Sequence, residues 1–219
     1  MAWDECWEKI FSEREWGKYP SESVIRFMAK YFYKAPDRRA VKVLDLGCGT
    51  GTVSWYCARE GFTVFGIDGS ATGVRRAQER FAHEGLNGEF RVGDITKLPY
   101  ADRSFDAVID GFAMAANDRE SHAVILKEVR RVLKPEGLFY SIFPDVDTMG
   151  YGSGITLDRY VQKNLTTGPF AQEGTIYFFD EDEIKRQFQG FTVESLEMLR
   201  RTFDNRQSHC TEWVFVGRP

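Results

Sequence analysis

The sequence predicts an α/β fold: a doubly wound, mostly parallel seven-stranded sheet with helices on both faces and a C-terminal antiparallel strand pair. Three observations predict it. A continuous apolar run, VKVLDLG (41–47), opens into a glycine-rich turn, as a strand buried on both faces does. Strand and helix patterns then alternate as far as residue 144. Two strand-like runs, FTVESLEMLRR and CTEWVFVGR, close the chain and read as a hairpin.

Residues 1–40 are crowded with aromatic side chains: Trp3, Trp7, Phe11, Trp16, Tyr19, Phe27, Tyr31, Phe32 and Tyr33. Trp3, Trp7, Ile10 and Phe11 share one helical face. After Pro20, Ser21 is placed to cap a helix from about Glu22 to Tyr33, and residues 36–39 form a charged linker. Strands follow at 41–47, 62–68, 89–92, 104–110 and, after the turn Pro135-Glu136-Gly137, 138–144. Helices are expected at 52–60 (stopped by Gly61), 71–83 and 119–133. The last of these carries Val124, Ile125, Val129 and Val132 on its inner side. Residues 145–179, with five glycines and clustered aromatics, read as a loop-rich insertion, and a helix follows at 180–189. There is no internal repeat or low-complexity tract, so residues 1–219 read as one domain.

Composition narrows the function classes. A net charge of −4 argues against a long polyanion as the obligate partner; a local basic patch stays open, but there is no lysine-rich arm or arginine run, and no nucleic acid is expected. No apolar stretch approaches the roughly 20 residues that span a bilayer, and the acidic N-terminus is unlike a secretory signal. Cys6, Cys48, Cys57 and Cys210 form neither CxxC pairs nor His/Cys clusters. They read as free thiols in a reducing cytoplasm, with no metal site. The expectation is a cytoplasmic enzyme with a small-molecule partner, a monomer or homodimer away from membranes.

The turn VLDLGCGTG (43–51) carries the strongest functional signal. Glycines 47, 49 and 51 allow a sharp turn and leave backbone open to a ligand. A dinucleotide fingerprint, G-x-G-x-x-G, wants a glycine where Thr52 stands, and G-x-x-x-x-G-K-[ST] is absent. A plain tight turn or a dinucleotide site remains open on this loop alone.

Taken together, D-L-G-C-G-T-G, G-I-D-G-S, V-G-D-I-T-K-L-P-Y, S-F-D-A-V-I-D and V-L-K-P-E-G-L resemble the class I S-adenosylmethionine-dependent methyltransferases, especially their small-molecule branch. The resemblance is dense over 41–143, and the closing helix and hairpin agree with it. It implies S-adenosylmethionine as cofactor and S-adenosylhomocysteine as product. By the same resemblance Gly47, Gly49 and Gly51 lie beneath the methionine and ribose, and Asp45 supports the loop or the cofactor's amino group. Asp68, beside Gly69, accepts from both ribose hydroxyls, as a two-oxygen carboxylate can. Asp94 accepts from the adenine amino group, and Ile95 offers an amide and an apolar face. Asp110, Gly111 and Phe112 line the reactive end.

Two departures matter. Many relatives carry a histidine after the fourth strand, where this chain has Met114, Ala116 and Asn117; and an N-P-P-Y signature for nucleobase amino methylation is absent. Trp16 and Tyr19 of the N-terminal segment (1–40) are expected as a lid over the cofactor, or as plain packing, and 145–179 as a substrate cap. For the proton acceptor Asp145 stands at the carboxyl end of the fifth strand, as base or as loop cap, with Tyr151 as a substrate contact. His122 is expected on a helix surface, His83 in solvent and His209 away from the site. The expected reaction is methylation of an oxygen or nitrogen of a small molecule, a sugar or natural-product intermediate. The alternatives are an NAD-dependent oxidoreductase, disfavoured by the missing third glycine and the lack of a Tyr-x-x-x-Lys pair, or a non-catalytic cofactor-binding protein.

Overall fold

A computed structural model describes residues 4–219; Trp3, expected on the first helix face, lies outside the described residues. The elements in chain order are α1 (Cys6–Glu13), α2 (Glu22–Tyr31), β1 (Lys42–Leu46), α3 (Thr52–Arg59), β2 (Thr63–Asp68), α4 (Ala71–Glu84), β3 (Glu89–Val92) and β4 (Phe105–Gly111). They continue with α5 (Arg119–Val132), β5 (Leu133–Pro144), β6 (Ile155–Thr156), β7 (Val161–Lys163), β8 (Thr175–Tyr177), α6 (Glu181–Gln187), β9 (Thr192–Phe203) and β10 (Ser208–Arg218).

Seven strands form one sheet in the order β3-β2-β1-β4-β5-β10-β9. The first five are parallel, and β10 enters antiparallel between β5 and β9, pairing Phe215 with Ser141 and Leu196. The central β1 is buried on both faces after Lys42, which is why its sequence is continuously apolar rather than alternating. Alternate residues feed two cores. Leu44, Leu46, Val108, Phe139 and Phe143 pack with Ile125, Val129 and Val132 of α5 and Ile184 of α6. Val43, Val64, Ile109, Tyr140 and Val214 pack with Phe27 and Met28 of α2, Trp55 of α3 and Phe81 of α4. Three helices start on side-chain caps: Ser70 accepts from the Gly73 amide (2.9 Å), Asp118 from Ser121 (2.8 Å) and Asp180 from Glu183 (2.8 Å).

Several local expectations change. The second helix stops at Tyr31, and Ser21 occupies its N-cap without capping, because its hydroxyl meets Ser23 instead. β5 runs straight on from α5 at Leu133, and the Pro135-Glu136-Gly137 turn becomes an irregularity in the β4–β5 register. On α5 Val124 is 46% exposed, while His122 is fully buried among the rings of Tyr177, Phe179 and Phe188. Burial there pushes the imidazole down to about 3. The insertion is not only loops: β6, β7 and β8 form a separate antiparallel sheet (β6-β7-β8). All four cysteines are free. Among the described residues no helix is long and apolar enough to cross a membrane.

Candidate active site

The carboxyl ends of β1, β2 and β4 meet at one edge of the sheet, and the chain turns there on bare backbone. The amides of Gly47 and Cys48 both donate to the Ile67 carbonyl at the end of β2 (2.8 and 3.0 Å), tying the two strand ends together. Gly47 has φ +68°, and a Cβ on it would stand 2.0 Å from the Ala113 Cβ, so only glycine fits between the turn and the loop after β4. Gly51 (φ +77°) serves differently: its missing Cβ would fall 2.9 Å from the Ala77 Cβ on α4, so it permits close packing between the turn and that helix.

Two buried carboxylates hold this turn. Asp45 accepts from the Ser54 amide (2.9 Å) and hydroxyl (2.7 Å), fixing the first turn of α3. Asp68 accepts from the Gly49 amide (2.8 Å) through Oδ2 and from Ser70 (2.7 Å) through Oδ1. Burial pushes both carboxyls up to about 6 against the pull of these hydrogen bonds. Asp68, only 6% exposed, still faces a cavity of ≈260 Å³.

That cavity is walled on the turn side by Asp45, Gly47, Gly49, Asp68, Gly69, Ile95 and Gly111, all expected at the cofactor. Phe112, also expected there, joins them at φ +80°, an uncommon left-handed conformation for a side-chain-bearing residue. From the N-terminal segment Trp16 reaches the cavity, together with Asp4, Trp7 and Phe11, which the sequence reading did not single out as site residues. Pro169, Phe170 and Glu173 complete the wall from the insertion. Thr50 and Asn117 also line it; the Thr50 hydroxyl, on a residue 2% exposed, has no hydrogen-bond partner among the described residues.

Other expected residues are placed elsewhere. Tyr19 is 74% exposed and stacks edge-on against Trp55, outside the cavity, so only Trp16 of the expected aromatic pair covers the site. Gly51 is committed to helix packing. Asp94 sits between the lining residues Gly93 and Ile95, with Oδ1 accepting from the Thr96 amide (2.9 Å) and hydroxyl (2.7 Å). Asp110 is fully buried behind the wall, where it accepts from the Ser141 hydroxyl and the Met114 amide (3.0 Å) and closes the turn that carries Phe112. Asp145 fails as a base on geometry. One oxygen accepts from Trp213 Nε1 (2.6 Å), the other from the Asp147 amide (2.7 Å), and the residue does not line the cavity. Tyr151 donates to the Arg159 carbonyl (2.6 Å) and packs on Phe178, away from the cavity. His83 is exposed, and His209 bonds the Asp147 carbonyl, so neither histidine reaches the cavity.

The lining is electrostatically one-sided. Four carboxylates face it (Asp4, Asp45, Asp68 and Glu173), and no lysine, arginine or histidine does, among the described residues. Burial pushes the Glu173 carboxyl up to about 7, opposed only by the charge of Arg14. Glu173 lies in A-Q-E-G-T, a stretch with no motif to mark it; the one available clue was its place in an insertion expected to cap the site.

A family model described as a methyltransferase domain matches residues 43–137. A ubiquinone/menaquinone biosynthesis C-methyltransferase of Desulfotalea psychrophila is 41% identical over 106 residues, which is 48% of this chain and 42% of that protein. A demethylmenaquinone methyltransferase of Thermotoga maritima is 40% identical over 99 residues, 44% of this chain and 40% of that protein. The match therefore spans well under two thirds of these relatives' lengths. Among solved structures, a Pyrococcus horikoshii protein superposes with a TM-score of 0.69 at 26% identity, covering 90% of this chain and 88% of its own. A Methanosarcina mazei methyltransferase shares the fold at a TM-score of 0.73 and 24% identity, over 91% of this chain and 98% of its own.

Proposed function

We propose that this chain is a class I S-adenosylmethionine-dependent methyltransferase and that it transfers the cofactor's methyl group to an oxygen or nitrogen of a small molecule held under its N-terminal segment and insertion. The observation that carries this reading is Asp68: a carboxylate buried at the end of β2, bonded to the glycine turn and still facing the cavity. The residues fit the cofactor. A ribose diol needs a two-oxygen acceptor, a sulfonium suits a cavity lined by carboxylates and aromatic rings, and the turn presents backbone that a Cβ would obstruct.

When bound, S-adenosylmethionine supplies a methyl carbon activated by a positively charged sulfur. The chain's own work is alignment and the exclusion of water. Asp45 locks the turn to α3; Asp68 would hold the ribose hydroxyls and Ile95 would pack against the adenine, with Asp94 beside it for the exocyclic amine. Trp16, Phe112 and Phe170 close the far side of the cavity against solvent.

Calorimetric titration with S-adenosylhomocysteine tests the reading. Binding is expected, and Asp68→Ala should weaken it by about 1–3 kcal/mol, the usual cost of losing charge-assisted hydrogen bonds. No binding at millimolar ligand ends the proposal. A second reading, methylation at carbon, is supported by the names of the two curated relatives. Identification of the methylated atom in the product by NMR separates it from the first.

A further inference from the structure

We infer that the acceptor half of this cavity is built for an organic cation: the acceptor is an amine on an apolar, ring-bearing skeleton, and Glu173 takes its proton before methyl transfer. The inference rests on the methyltransferase reading and adds the class of acceptor.

The acceptor wall is assembled from two distant segments. The Cys6 amide donates to Asp4 Oδ1 (3.1 Å), and the Thr175 hydroxyl reaches Asp4 Oδ2 (3.5 Å). Gly174 lies so close that a Cβ there would stand 2.6 Å from the same Oδ2. Asp4 is thus engaged in joining the N-terminal segment to the insertion. The carboxylate of its neighbour Glu173 makes no hydrogen bond or ion pair among the described residues, although it is largely out of water and lines the cavity. A carboxylate in that position loses solvent and gains from the chain only the charge of Arg14, with no hydrogen bond. A bound cation would supply the missing partner.

The rest of the wall fits the same ligand. Trp7, Phe11 and Trp16 form a mutual cluster with centroids 5.6–6.0 Å apart, and Phe112 meets Phe170 at 5.5 Å. Ring faces attract ammonium groups and cover apolar skeletons. A phosphate or carboxylate acceptor would meet carboxylates with no cationic side chain to receive it.

The chemistry balances on these groups. The ammonium gives one proton to the Glu173 carboxylate and becomes a neutral amine. Its lone pair then forms the nitrogen–carbon bond while the carbon–sulfur bond breaks and its electron pair goes to the sulfonium, leaving a neutral thioether. The product leaves as a methylammonium, and the proton on Glu173 passes to water.

The test uses the protein saturated with S-adenosylhomocysteine and three probes of similar shape: phenethylamine, 2-phenylethanol and 3-phenylpropionate. Calorimetry should show the amine binding about tenfold or more tightly than the alcohol, and the carboxylate not at all. Glu173→Gln should abolish that preference while leaving S-adenosylhomocysteine and alcohol binding unchanged, which also shows that the variant is folded. Amine affinity in the parent should rise as pH passes upward through about 7 and stay flat in Glu173→Gln. The charged and titratable groups around Glu173 are Asp4, Cys6, Arg14 and Lys163; burial holds the Cys6 thiol up to about 12, so it stays neutral over this range. Equal or tighter binding of the alcohol or carboxylate, no amine binding at millimolar probe, or an unchanged preference in Glu173→Gln overturns the inference. Failure of S-adenosylhomocysteine itself to bind overturns the methyltransferase reading instead.

Discussion

Replacing Gly47 by alanine should damage the site in a way that a second substitution repairs. Residue 47 sits at φ +68°, where an L side chain costs about 1–2 kcal/mol. Its new Cβ would stand 2.0 Å from the Ala113 Cβ, far inside the usual carbon contact of about 3.5–4 Å, and overpacking of this kind costs about 1–3 kcal/mol. The sum is about 2–5 kcal/mol of stability, with a loss of cofactor affinity as the turn shifts. Ala113→Gly removes the colliding atom, and the next contact, the Ala113 Cα, lies at 3.4 Å. Alone that change should cost about 0.5–1 kcal/mol, because residue 113 has helical angles (φ −64°, ψ −38°) that glycine holds less well. The double variant keeps the left-handed cost and loses the clash. Urea melts of the four proteins should therefore give a favourable coupling of about 1–3 kcal/mol, and titration with S-adenosylhomocysteine should show affinity recovered in the pair. Additivity within about 0.5 kcal/mol would refute the claim that glycine at 47 answers to the loop after β4.

Three further outcomes follow from the buried groups. Asp68 starts near 6 in the free protein, and ribose donors favour its ionised form. Cofactor binding near pH 6 should therefore release protons, seen as a binding enthalpy that varies with buffer ionisation heat; proton uptake, or release unchanged in Asp68→Asn, contradicts the assignment. His122, held down to about 3 when folded against 6.5 as its unperturbed value, binds more protons unfolded than folded between those values. Its contribution to stability is thus intact above about 6.5 and lost as pH falls below it, at up to about 1.4 kcal/mol per pH unit. His122→Phe should gain on the parent in acid urea melts, and a pH-independent difference sinks the idea. Asp145→Ala strands the Trp213 indole donor and should cost about 1–3 kcal/mol of stability with cofactor affinity intact. A tenfold loss of affinity without loss of stability would restore Asp145 to the site.

The parts legible in the sequence were those written in short-range spacing. The apolar run of β1, the glycines after it and an aspartate at the end of β2 lie within 30 residues, and the parallel pairing of β1 with β2 and β4 brings their ends together. His122 was misplaced because a polar residue at helical spacing is ordinarily solvated. What buries it is Tyr177, Phe179 and Phe188, rings from the insertion and the end of α6 that no periodicity on α5 records. The insertion sheet was invisible for a related reason. Strands of two or three residues carry no alternation to read.

Asp145 and Glu173 show why the two halves of the cavity differ in legibility. The rule that ligands sit beyond the carboxyl ends of parallel strands puts Asp145, just after β5, in the right neighbourhood. It cannot give the direction of the side chain, which the pairing of β5 with β10 turns toward Trp213. Glu173 becomes a wall residue only because Asp4 and Thr175 meet across a separation of 171 residues. No local pattern encodes that contact. The family match over 43–137 covers the turn, Asp68 and Ile95 but neither residues 4–16 nor 169–173. The family match therefore falls on the turn side of the cavity. The wall built from residues 4–16 and 169–173 lies outside that match, so its charge is read from this chain's own residues.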